Sequence, residues 1–266
     1  MDGGETMSTI IPWIESVTSA DDSLEDCLPG LKLWEPHASS VIVTTWSKYV
    51  PEVYPWLRDR TDMRFHGGFK VHDLLSQTFD DPAEWAEIAR HVGIVAGTAG
   101  SNVVLLDCEV ALDAFFHNKS CIDFARLTES LKPLADTGVQ IHFYQPSIQP
   151  NTPAFPLREY FSMRLIHTIA EALPNCIFDA TPFAWANWPD NERDAIGRWQ
   201  LLCRLVGSDR VQQRIIVTDT GRYADRDCHT PERARSLLSL LGDRSVVIYP
   251  GQDRWTETAA AWPKGD

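Results

Sequence analysis

The segment Leu105-Leu106-Asp107-Cys108-Glu109 sets two carboxylates two positions apart at the end of an aliphatic run that begins at Val103. Side chains of an extended strand alternate sides, so Asp107 and Glu109 are expected to share one face. Two acids at one site suit the cleavage of a glycosidic bond: one protonates the leaving oxygen, and a second stabilises or attacks the cationic ring. Residues i and i+2 point the same way with about 7 Å of strand between them, so this pair cannot flank a sugar by itself. Glu109 is then the general acid at the rim. Asp107 is a deeper neighbour that orients Glu109 and favours its protonated form by like-charge repulsion. The opposing carboxylate is Asp219 or Asp179, each at the end of a later strand.

Other strand ends supply groups that could hold a substrate. Trp46 follows the second strand, His66 and Lys70 lie on the third, and His142, Tyr144 and Gln145 close the fifth. Trp185 and Trp188 come after the sixth, Arg222 after the seventh, and Tyr249 at the end of the eighth. Indole and phenol faces can cover the apolar faces of sugar rings while polar side chains meet the hydroxyls. Most of the ten tryptophans are expected in the core, and Trp46, Trp185 and Trp188 are the better candidates for the cleft because they follow strands.

Two rival chemistries stay open. His66, Asp107, Glu109, His142, Asp179 and Asp219 are donors that a divalent-metal hydrolase or isomerase could use. However, the chain has no His-x-His pair, His-Glu-x-x-His helix or Cys-x-x-Cys motif, so neither metal nor cofactor is expected. The other rival is a barrel that binds carbohydrate without cleaving it, because fold alone never establishes activity. No serine nucleophile elbow occurs, and Cys108 is expected to point away from the barrel axis against a helix.

The Leu-Leu-Asp107-Cys-Glu109 strand resembles the final Asp-x-Glu of the fourth-strand motif in family 18 chitinases, and also the Asp-x-Glu strand of family 25 lysozymes. Both are barrel glycosidases. The resemblance implies that Glu109 is the proton donor and Asp107 its supporting carboxylate. It covers this strand and the general barrel pattern. It departs at Leu105 and Asn102, where the chitinase motif has further aspartates, and at Glu15-Ser16, which stands where the lysozymes have Asp-x-Ser.

These residues need a scaffold that gathers strand ends. Short β-branched runs recur at Val41 to Thr45, Val103 to Asp107, Val139 to Tyr144, Cys176 to Asp179, Arg214 to Thr218 and Ser245 to Tyr249. Weaker strands are read at Ile10 to Ser16 and Met63 to Lys70. Between them lie helix candidates at Pro82 to Ala96, Ile122 to Ala135, Leu157 to Leu173, Asn191 to Val206 and Pro231 to Leu241. Such alternation marks βαβ units and a parallel sheet. About eight units over 266 residues predict a single (β/α)8 TIM barrel, with residues 24–40 as a long first βα connection on the functional face. An open doubly wound sheet is the runner-up, but no glycine-rich dinucleotide fingerprint follows any strand.

Composition narrows the partners. With 44% hydrophobic residues the chain can bury a full core. Its 37 acidic against 24 basic residues leave a formal charge of −13, which argues against nucleic acid or an anionic membrane as partner. The first residues lack the basic and apolar character of a secretory signal, no stretch approaches a membrane span, and six scattered cysteines suit free thiols. A cytoplasmic protein acting on a carbohydrate or other small polar ligand is therefore expected, with the oligomeric state left open.

Overall fold

In a computed structural model of the protein, the described residues are 10–15, 23–38, 40–75, 79–118, 121–144, 147–180, 192–216 and 246–249. They form one curled, all-parallel sheet flanked by helices. The strands are β1 (Ile10–Glu15), β2 (Ser40–Trp46), β3 (Arg64–Lys70), β4 (Val103–Asp107), β5 (Gln140–Tyr144), β6 (Ile177–Ala180), β7 (Val211–Ile216) and β8 (Val246–Tyr249). They pair in sequence order, and β8 returns to β1 to close the ring.

Parallel neighbours require a crossover each, and helices make those between β1 and β7. These are α1 (Leu28–Trp34), α2 (Val50–Arg58) and α3 (Pro82–Ala99), then α4 (Glu109–His117), α5 (Phe124–Ser130) and α6 (Lys132–Asp136) between β4 and β5. Next come α7 (Arg158–Ala172) and α8 (Glu192–Val206). The expected helix from Pro231 to Leu241 lies outside the described residues. Among the described residues no helix is long and apolar enough to cross a membrane.

Alternation along each strand divides the apolar residues into two cores. Val41, Val43, Val104, Leu106, Ile141, Phe143 and Phe178 face outward into the large core beneath the helices. Trp13, Ile42, Leu105 and Tyr144 form a second cluster inside the ring. A sheet buried on both faces explains why its strands read as nearly continuous apolar runs.

Gly67 and Gly68, which interrupt the third strand in sequence, are where this packing is tightest. A Cβ on Gly67 would lie 2.4 Å from Val95 Cγ1, and one on Gly68 would lie 2.8 Å from the Leu105 carbonyl oxygen inside the ring. Gly67 leaves room for Tyr54 of α2, whose hydroxyl accepts the Gly68 N–H at 2.8 Å. That hydroxyl donates to the carbonyl of Gly68 (2.7 Å) or Val43 (2.9 Å). Burial pushes the Tyr54 phenol above its ordinary range.

Several expectations are corrected. The first connection, expected over residues 24–40 without regular structure assigned to it, holds a 3₁₀ turn (Leu24–Cys27) and α1. Pro29 in its first turn is compatible with a helix, because the missing N–H would be unpaired there anyway. Helices α2 and α4 fall outside the helices that the sequence pattern predicts. The helix read from Ile122 to Ala135 breaks at Leu131 into α5 and α6, where Pro133 cannot donate to the preceding turn. Helix α3 runs on to Ala99 and stops at Gly100, which takes the left-handed conformation (φ 67°) and donates to the Ala96 carbonyl.

Candidate active site

Strand β4 ends at Asp107 and Glu109 opens α4, so the two acids do not share a strand face as expected. Between them Cys108 has φ −99° and ψ 6°, off the extended conformation. The Asp107 carboxylate itself makes the turn: its Oδ1 accepts the Glu109 N–H at 3.2 Å. The strand end is pinned on both sides, with Val71 N–H donating to Asp107 O (3.1 Å) and Cys108 N–H donating to Tyr144 O (3.3 Å). Asp107 is buried (7% exposed), whereas Glu109 is half-buried at the start of its helix. Cys108 sits in the outer core, as expected. Burial first, and then the Asp107 charge, push its thiol well above the ordinary value.

Neighbouring strands place further groups at the same end of the sheet. Trp46, Lys70, Asp107 and Tyr144 are partners in one continuous register across β2 to β5. By alternation from Ile42, Gly68 and Leu105, the first three point inward, as Tyr144 does. The Trp46 ring is half-buried, edge-on to His72 at 5.8 Å, with the Lys48 ammonium 4.8 Å from its centroid. Tyr144 is deeper: its ring is 6% exposed and meets Trp13 edge-to-face at 4.8 Å. The Trp13 indole N–H donates to Thr44 Oγ1 at 2.7 Å, so a residue absent from the expected site fills the floor of the mouth.

His142 and Asp179 are both enclosed, with Nε2 and Oδ2 3.6 Å apart. They face one another inside the ring, and the Asp179 carboxylate does not reach the surface of the mouth.

His66 does not belong to this group. It lies near the start of β3, four residues and about 13 Å of strand from Lys70. Its Nδ1 is 3.1 Å from Ser101 Oγ at the opposite end of the ring. Among the described residues no three His, Cys, Asp or Glu side chains gather in a way that could hold a metal ion. Gln145, Trp185, Trp188, Asp219 and Arg222 lie outside the described residues, and of Tyr249 only its place as the last residue of β8 is described.

A cleft of about 780 Å³ lies along helix α4, lined by its Asp113, Phe116 and His117 and by Thr152, Phe155 and Arg158 of the chain entering α7. The Arg158 guanidinium lies 4.5 Å from the Phe116 ring centroid.

No protein family and no curated protein matches the chain by sequence. Solved structures are similar in fold. A GH18 chitinase from Pseudoalteromonas aurantia matches with TM-score 0.54 at 11% identity, over 95% of this chain and 99% of that one. The spore cortex-lytic enzyme SleL of Bacillus cereus matches with TM-score 0.60 at 8% identity, over 98% of this chain and 76% of that one. A family 2 AP endonuclease from Brucella melitensis matches with TM-score 0.50 at 15% identity, over 97% of this chain and all of that one. At such identities the likeness shows a shared barrel-type fold, one that glycoside hydrolases and enzymes of other chemistry both use.

Proposed function

We propose that the chain folds as a (β/α)8 barrel and acts as a glycoside hydrolase, with Glu109 as general acid and Asp107 as the group that positions it. The observation that carries this reading is the Asp107–Glu109 turn at the end of β4. A buried carboxylate holds the backbone of a more exposed one, beside Lys70 and Trp46, at the end of the sheet where barrel enzymes place their chemistry. A carboxylate kept in a largely apolar interior is costly unless it is used or paired, and here it organises the proposed acid. The chitinase and cortex-lytic neighbours support a glycan as the substrate class.

The opposing carboxylate is assigned to Asp219. Asp179 is enclosed against His142 inside the ring and is therefore not assigned that role. Among the described residues Trp46 and Lys70 line the sugar path. The chemistry needs side chains alone.

The test is hydrolysis of N-acetylglucosamine oligomers by the full chain and by Glu109→Gln. The amide keeps the shape and cannot donate the proton, so the rate is expected to fall by about 10²- to 10⁴-fold with the melting temperature unchanged. Equal turnover in the two proteins would remove Glu109 from the acid role.

A further inference from the structure

At the end of the sheet opposite Asp107, the starts of β3 and β4 and the ends of α2 and α3 enclose a cavity of about 400 Å³. Its polar lining is Arg58, Arg64, His66, Ser101 and Asn102, and among the described residues no carboxylate lines it. In a chain of formal charge −13 this is a local reversal of sign. Met63 and Val103 add an apolar wall, and the volume falls within the roughly 300–1,000 Å³ typical of small-molecule sites.

We propose that this cavity binds a small organic phosphate monoester, the arginines holding the phosphate and the apolar wall its organic body. Guanidinium forks match a phosphate in charge and geometry, and they outlast any pH change in the physiological range. The two arginines differ in their other duties. Arg58 donates to Thr98 O at 3.0 Å and so answers the negative end of α3, which is a scaffold role. Arg64 is exposed and, among the described residues, pairs with no carboxylate. Its charge is nevertheless felt inside: after burial, it is the second cause that holds the His66 imidazole below the ordinary histidine range. His66 is therefore a neutral hydrogen-bonding wall, fixed by Ser101 Oγ at 3.1 Å. About 20 Å of β3 separates Arg64 from Lys70, so the site is independent of the proposed hydrolase mouth.

Calorimetric titration of the full chain with phenyl phosphate, inorganic phosphate, benzoate and phenol tests this. Phenyl phosphate should bind saturably and more tightly than inorganic phosphate or benzoate, and phenol should not bind. Arg64→Gln should weaken phenyl phosphate by about tenfold or more, with part of the loss restored in Arg64→Lys, and Glu109→Gln should bind as the unaltered chain does. Absence of saturable binding, tighter binding of benzoate, or equal affinity in Arg64→Gln would each overturn the proposal.

Discussion

Asp107 and Glu109 are close in sequence yet play unlike parts, because the backbone turns between them. One is locked beneath the surface by accepting the other's N–H, and the other stands at a helix start. The same rule, that surroundings decide reactivity, applies to the cysteines. Burial raises the Cys176 thiol to about 11, with the Arg210 charge and hydrogen bond opposing it, and Cys108 is also raised. A thiol whose folded value lies above its unfolded value stays neutral longer in the folded chain. At pH 8 Cys176 is therefore held as the neutral thiol and not as thiolate, the reactive form. Stability is accordingly unaffected by this group below pH 9 and declines between about 9 and 11, where only the unfolded chain loses the proton. Iodoacetamide at pH 8 is expected to modify the exposed Cys121 in the native protein and to spare Cys108 and Cys176, with all three modified in denaturant. Peptide mass mapping checks this. Native labelling of Cys176 as fast as Cys121 would show that its surroundings are more open.

Helix α3 is the element whose ends the sequence states most openly. Asp81-Pro82 places a capping residue before a first-turn proline, and the Asp81 carboxylate accepts the Ala83 N–H at 2.8 Å. Asp81→Ala should destabilise the protein by about 1 kcal/mol, measured by urea unfolding, since the cap satisfies an otherwise orphaned donor. An unchanged midpoint would mean that water serves equally well. Other elements were hidden for identifiable reasons. Pro29, Pro51 and Pro55 make α1 and α2 look like loops, although prolines 29 and 51 fall in first turns. Helix α4 was hidden because Leu105 to Glu109 continues an apolar and acidic alternation that fits a strand, and short apolar runs do not distinguish strand from helix. The common face of Lys70 with Gly68, of Asp107 with Leu105 and of Tyr144 with His142 was legible from the two-residue period. That period does not say which end of a seven-residue strand a side chain serves, and so His66 was grouped with Lys70. Trp13 gave no signal of its own, because an indole on a strand reads equally well as core.

At the scale of the whole molecule, the ring of parallel strands separates two sets of charged groups. Acids and Lys70 stand at the ends of the strands, and Arg58 and Arg64 at their starts. In the proposed function the mouth cleaves a glycan, in the further proposal the base holds a phosphate, and the central claim is the role of Glu109 at the mouth. The most direct measurement is a crystal structure of Glu109→Gln holding an N-acetylglucosamine oligomer. A glycosidic oxygen is expected within about 2.6–3.2 Å of the side-chain amide at position 109, the reach a general acid requires, with the sugar ring over the ends of β2 to β5. An oligomer seated elsewhere, or seated at the mouth with that side chain turned away from every glycosidic oxygen, would contradict it.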